Sequence, residues 1–420
     1  MGTSIRQTSG DVTRSVGGAS APSSSWYPAR TVLHAIAVAS ITTFCLAGGA
    51  IAAHAITKAK KPAPVTKVKP AMETALTAPV PKTMVYIPAM ASDGKGFVAQ
   101  FTIDEGGDLA ALKPPIVAAG TYPYSVTVDP SGKYCYAAQW TSPGALDQFV
   151  IRPDGTLAAN DVPQIPCGRQ PYPITFTPDG KIAIVPNNAE GSISTYRVGA
   201  DGKMALASTL PTGKESRSIA IDPSGAFVYA ANYDTSTISV FALAASGELA
   251  NISSVETDKL PYNVTLSPNG KYLYAANRGG GDVTIYSVNP GDGGLNLISS
   301  APAGKGANWI VFDSQFKYAY VTNYYDRSVS QFIVDATTGH LTKNGDDVKV
   351  GVEPVQVAID PTDKYVYVAN SGDNTVSQLH IRRDGSLSTG ASVRMHGRDM
   401  QVGGTLHMSG SPWTIAFAKR

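Results

Sequence analysis

The residues of this chain that could do chemistry stand at fixed offsets from one repeated strand. Before an apolar strand come Glu215 and Arg217, Tyr262 and Asn263, Trp309, Glu353 and Trp413, each set in a different copy of the repeat. After the repeated strand come Asp234, Arg278 and Tyr324. Aromatic faces beside guanidinium groups, amides and a few carboxylates suit a polar ring compound such as a sugar, or a small anion. Arg217, Arg278 and Tyr262 would hold such a ligand, with Asn263, Trp309, Tyr324 and Trp413 around it. Glu215, Asp234 and Glu353 are the carboxylates that could activate water on it. Aromatic side chains at loop tips also serve simply to cap a sheet, so a purely structural role competes with this reading.

Other chemistries are poorly served. The histidines at 34, 54, 340, 380, 396 and 407 show no close metal-ligand spacing. His396 and His407 share a long segment with Arg394, Arg398 and Asp399, which could form a lid. There is no Gly-Xaa-Ser-Xaa-Gly elbow, no Cys-Xaa-Xaa-Cys-His haem site and no phosphate-binding glycine loop. Neither cofactor nor metal is expected.

The elements that position these residues repeat. Tyr272-Leu-Tyr-Ala-Ala-Asn277, Lys317-Tyr-Ala-Tyr-Val-Thr-Asn323 and Tyr365-Val-Tyr-Val-Ala-Asn370 are three of seven copies of a β-branched and aromatic run ending in a turn-forming residue. Most copies follow a turn such as Asp222-Pro-Ser-Gly225, in which proline presets the first corner and glycine tolerates the second. From Asp129 to Asp360 these turns are spaced 48, 45, 45, 46 and 47 residues apart. An apolar strand precedes each turn, a third strand follows the repeated one, and a Gly-Xaa-Leu element leads into a fourth. Four antiparallel strands per period of about 45 residues indicate an all-β, seven-bladed β-propeller. Pro412-Trp-Thr-Ile-Ala-Phe417 is a first strand with nothing after it, and Val85 to Leu109 has later strands but no first one. The ring is therefore expected to close by pairing the C-terminal strand with the N-terminal strands, which removes free sheet edges.

The propeller occupies 83–420. Ahead of it lie a Ser/Gly-rich leader (1–31) expected to be disordered, an uncharged apolar run (32–56) and a Pro/Ala/Lys-rich linker (57–82). The apolar run is long enough to span a bilayer and ends in Ala53-His-Ala55, which suits signal peptidase. It reads either as a cleaved signal or as an uncleaved anchor, and membrane contact is expected only through it. Lys58, Lys60, Lys61, Lys67 and Lys69 follow it, where the positive-inside rule would favour the cytoplasm. A periplasmic or secreted domain is nonetheless expected. Residues 1–82 carry nine Lys/Arg against two acidic groups, leaving the propeller with 25 basic and 30 acidic residues. That balance gives no footprint for nucleic acid. The domain is expected to be a monomer binding a carbohydrate-like small molecule. Cys135 and Cys167 could form one disulfide after export, or Cys135 could be a small core residue.

The repeat resembles that of the YVTN-repeat β-propellers, and Tyr320-Val-Thr-Asn323 is that tetrapeptide. With Phe149, Gly155 and Leu157 between the third and fourth strands, and Trp413 in the closing strand, residues 83–420 resemble the lactonase branch. That branch includes 6-phosphogluconolactonases and fungal carboxymuconate-cyclising enzymes. The resemblance implies a Gly-Pro-Arg-His lead into one blade and Asn-Glu after its second strand. Histidine and glutamate would act as acid and base, and arginine would bind the anionic substrate. The matching places are Leu260-Pro261-Tyr262-Asn263 and Asn277-Arg278. Pro261 and Asn277 agree with the pattern, whereas Tyr262, Asn263 and Arg278 replace the arginine, histidine and glutamate. Two functions follow: a hydrolase opening a sugar lactone in the central funnel, or a non-catalytic binding or scaffold propeller.

Overall fold

The structure is a computed structural model, and it describes residues 83–90, 95–394 and 412–419. The leader, the apolar run, the linker and the segment with His396 and His407 lie outside the described residues. So do Cys45 and the five lysines near the linker. No helix among the described residues is long and apolar enough to cross a membrane.

Seven four-stranded antiparallel sheets form the blades. Blade 1 spans 123–167, blade 2 171–211, blade 3 216–256, blade 4 261–302, blade 5 307–349 and blade 6 354–394. Blade 7 joins Ala416–Lys419 to the strands between 83 and 121, with Thr83 opposite Lys419 and Tyr86 opposite Ala416. The expected closure is thus observed. In blade 5 the outer strand is split into Leu341–Lys343 and Val348–Lys349, both paired with the third strand.

Each repeated residue has a physical task. The buried tyrosine in the middle of the second strand donates its hydroxyl to a glycine carbonyl of the following blade. Tyr86 reaches Gly155, Tyr136 reaches Gly202, Tyr229 reaches Gly293, Tyr274 reaches Gly339, Tyr320 reaches Gly385 and Tyr367 reaches Gly107, at 2.5–3.0 Å. These glycines belong to the Gly-Xaa-Leu elements, with Met204 in place of the leucine after Gly202. At Gly385 the backbone has φ +75, and a Cβ would lie 2.1 Å from the Tyr318 ring, so both conformation and space require glycine. Blade 2 has Ile184 where the tyrosine would be, and there the Thr195 hydroxyl reaches the Gly247 carbonyl at 2.5 Å. Seven such bonds therefore join every blade to the next.

The asparagine ending the repeat ties strands within a blade. The Asn323 amide donates to Ser328 at 3.0 Å and Ser330 at 2.9 Å on the third strand, and its oxygen accepts from the Gly304 amide at 3.0 Å. Asn187, Asn232, Asn277 and Asn370 bond their third strands alike. At the turns, Asp129, Asp222, Asp313 and Asp360 are buried and accept backbone N–H groups of their own corner.

Cys135 and Cys167 are both free. Cys135 packs with Tyr86, Phe149 and Leu157, and Cys167 packs against a separate cluster around Tyr136 and Tyr196. Burial pushes the Cys167 thiol up to about 12, with Glu190 adding to the effect, and burial also raises Cys135. Both are therefore neutral, unreactive thiols near neutrality.

Two outcomes follow. Tyr320→Phe leaves the Gly385 carbonyl without its donor and lowers the unfolding free energy by about 1–2 kcal/mol in urea titrations, whereas Tyr318→Phe shifts it little. In a Cys45→Ser chain, two thiols react with a thiol reagent only after unfolding. In the native protein the rate at pH 8 is negligible and rises as the pH approaches the raised values; rapid native labelling at pH 8 would contradict the burial argument.

Candidate functional site

On one face of the ring, six lead-ins to the innermost strands share a conformation. Tyr122, Gln170, Glu215, Leu260, Gly306 and Glu353 all have φ between +52 and +79, just ahead of the strand. Their carbonyls accept the N–H of the residue that follows the second strand: Trp140, Asn188, Tyr233, Arg278, Tyr324 and Ser371, at 2.9–3.1 Å. The two loop sets inferred from the sequence are thus stapled together in each blade. Five of the six are not glycine, and left-handed backbone at such residues is uncommon and concentrates at functional sites. Sequence reasoning did not find this ring. Its only linear trace is a residue standing directly before the first strand, usually two positions after a glycine.

The next residue but one in each strand turns toward the axis. Tyr124, Tyr172 and Tyr262 meet there with Val355, packed by Trp140, Tyr233, Trp309, Tyr324 and Trp413. The ring of Tyr124 lies 4.7 Å from those of Tyr172 and Trp413, and its hydroxyl is 2.8 Å from the Tyr262 hydroxyl across the axis. Tyr124 and Tyr172 are 5% exposed and Tyr262 2%. Burial, with Tyr172 as the next cause, pushes the pKa values of Tyr124 and Tyr262 well above that of a normal phenol, so both stay neutral. At this face the expected funnel is filled by a plug of the chain's own side chains.

Two guanidinium groups flank that plug. Arg217 stacks on Tyr233 at 3.4 Å and lies 5.2 Å from Tyr262. Its charge is met by Glu215 at 2.5 Å. Arg278 stacks on Tyr324 at 3.7 Å, with Tyr262 at 5.3 Å and Tyr325 at 5.4 Å. It is half-buried, and among the described residues it makes no ion pair. Its Nε is buried without a hydrogen-bond partner. Glu353 and Arg278 both lie near the Tyr324 phenol, and burial, followed by the influence of Glu353, raises its pKa above the ordinary value.

The remaining expected residues fall in different places. Asn263 is 2% exposed and bridges blades 3, 4 and 5. It donates to Ser218 at 3.1 Å and accepts from the Ile310 amide at 3.1 Å and the Thr265 hydroxyl at 3.0 Å. Trp309 lies beneath the plug, on the wall of the axial cavity, while Trp413 packs within the plug. Asp234 is exposed at the rim, and its amide donates to the Lys214 carbonyl. Glu353 contributes its carbonyl to Ser371 while its carboxylate faces Tyr324. The structure therefore gathers Arg278, Tyr324, Tyr262 and Glu353 into one cluster spanning blades 4 to 6, with Arg217 and Glu215 forming a neutralised pair beside it. No group of three or more His, Cys, Asp or Glu that could hold a metal occurs among the described residues.

Comparison with known proteins adds the following. A family model described as lactonase, 7-bladed beta-propeller, matches residues 163–259, 255–306 and 299–409, more than half of the chain. Among curated proteins, no sequence matches. A provisionally assigned 6-phosphogluconolactonase of Bacteroides fragilis is similar in structure, with TM-score 0.67, 21% identity, and 81% of this chain and 99% of that one covered. One from Bacteroides uniformis gives TM-score 0.68 at 20% identity, covering 80% and 99%. The periplasmic gluconolactonase of Pseudomonas aeruginosa gives TM-score 0.69 at 20% identity, covering 81% and 99%. At such identities these structures bear on the fold.

Replacing Tyr262 by Phe strands the Tyr124 hydroxyl in the plug. The expected cost is about 1–2 kcal/mol in chemical unfolding, and Tyr124→Phe/Tyr262→Phe together cost less than the sum of the singles.

Proposed function

The chain belongs to the lactonase family of seven-bladed β-propellers, and from that premise we propose that it binds a sugar lactone or a similar small anionic ligand at Arg278 and opens the lactone ring. The observation that carries this reading is the half-buried Arg278, which has no carboxylate partner among the described residues and stacks on Tyr324. A desolvated cation without a counter-ion gains most from an incoming oxyanion or polarised carbonyl. In the proposed reaction Glu353 takes a proton from water, and the water oxygen attacks the lactone carbonyl carbon. Arg278 holds the oxygen on which negative charge develops. The ring C–O bond then breaks, and the alkoxide recovers the proton to give the hydroxy acid. Tyr324, on whose ring Arg278 stacks, holds the guanidinium in place.

A second reading, a binding propeller without turnover, is favoured by two observations. The Glu215 carboxylate is committed to Arg217, and Asn263 is committed to the bridge between blades. A periplasmic or secreted setting is part of the proposal, supported by the apolar run at 32–56 and by a periplasmic protein among the similar structures.

The test is pH-stat turnover of gluconolactone and its 6-phosphate. Hydrolysis above the spontaneous rate is expected, with kcat/KM falling about 10–100-fold in Arg278→Ala and kcat falling in Glu353→Gln. Absence of turnover, with saturable gluconate binding that Arg278→Ala abolishes, establishes the binding propeller. Neither turnover nor Arg278-dependent binding overturns both readings.

A further inference from the structure

Below the tyrosine plug the axial channel continues as a cavity of about 570 Å³. The plug closes its inner end. Its walls run down to Pro223, Ser267 and Pro268 of the proline turns, and the two prolines are exposed on the opposite face. The plug thus converts a through-channel into a one-ended well, opening on the face away from Arg278. The volume lies in the range of small-ligand pockets.

None of the residues lining the well is ionisable. The residues directly beneath the plug include Ser218, Asn263, Trp309, Gln356 and Thr414. They are the third residues of their strands, and most knit neighbouring blades together. The Ser218 oxygen accepts from the Val264 amide at 3.3 Å and from Asn263, the Thr414 oxygen accepts from the Val126 amide at 2.8 Å, and the Gln356 oxygen accepts from the Ile415 amide. These bonds use acceptors. Among the described residues, the hydroxyl protons of Ser218 and Thr414 and the amide N–H groups of Gln356 have no acceptor. Lower in the well, Thr127 and Thr175 spend their protons on the carbonyls of the next blade, at 3.1–3.2 Å, and Thr265 shares its one proton between the Asn263 oxygen and the Ile310 carbonyl.

The closed end therefore offers spare donors, one indole face and no charge. We propose that this well is a second ligand site, which takes an uncharged, single-ring molecule carrying acceptor oxygens, of the size of a monosaccharide. Acceptor oxygens would receive the donors of Ser218, Gln356 and Thr414, and the ring would lie against Trp309. An ionic ligand would lose its hydration against walls with no counter-charge, so charge excludes. The well is separated from Arg278 by the plug, so the inference stands apart from the function proposed for that face.

The experiment follows the Trp309 indole N–H signal in the full chain, assigned with Trp309→Phe, during titration with methyl β-D-glucopyranoside and, separately, with D-glucuronate. The neutral glycoside is expected to shift the signal saturably, with a midpoint in the millimolar range typical of about a dozen non-hydrogen atoms bound without charge. Glucuronate is expected to bind at least tenfold more weakly. Ala220→Leu, which fills the wall, and Gln356→Glu, which keeps the acceptor for Ile415 but replaces the donor with a carboxylate, each abolish the shift. Arg278→Ala leaves it intact. No saturable shift overturns the proposal, as does a shift that survives Gln356→Glu or one that glucuronate reproduces equally. A shift lost in Arg278→Ala assigns the effect to the other face and also overturns it.

Discussion

The ring rests on one repeated interaction, a hydroxyl from the second or third strand of each blade reaching a glycine carbonyl of the next. It constrains both partners. The tyrosine must sit on the second strand with its ring buried between sheets, and the acceptor must be glycine, because its backbone is left-handed and at five of the seven junctions a neighbouring aromatic ring fills the space of its Cβ. A buried carbonyl left without its donor is costly, so the bond also sets the angle at which each sheet meets the next. In blade 2, where isoleucine stands in place of tyrosine, Thr195 supplies the hydroxyl. The acceptor is thus satisfied at all seven junctions even where the repeat is not kept.

Closure of the ring brings seven innermost strands around one axis, and the identities at two successive positions then decide what each face can do. Tyrosines, Trp413 and Arg217 at the second position form the plug and its flank. Short amides and hydroxyls at the third position make the bonds between blades. Asn263 shows the difference most clearly. The resemblance aligns it with an acid–base histidine, yet its amide is consumed by Ser218, Thr265 and Ile310, and it supports the channel wall. Arg278, replacing a glutamate in the same comparison, is placed by the Leu260 carbonyl and by its stacking on Tyr324.

The charged face and the neutral well are separated only by the plug. The same tyrosines that insulate them, by burial and by the bond between Tyr124 and Tyr262, also give Arg217 and Arg278 the aromatic surfaces on which they stack. A side chain lost from the plug would therefore disturb both faces.

The strand order, the seven blades and the closure by the C-terminal strand were legible in the sequence. They depend on local properties: the two-residue period of a strand, the corner chemistry of Asp-Pro-Ser-Gly and the 45-residue repeat. The two loop sets were legible as well, because they lie at fixed offsets from those strands. What the residues in these loops do was decided only in three dimensions. Tyr124 and Tyr262 are 138 residues apart, and nothing local says that their hydroxyls meet on the axis. Arg217 and Arg278 look alike as loop arginines, but one has Glu215 two residues away and folded onto it, while the other faces Tyr324 of the next blade. Whether a side chain plugs, braces or binds depends on which partners the closed ring brings within a few ångströms. Contacts between blades join residues far apart in the chain, so only the assembled ring determines them.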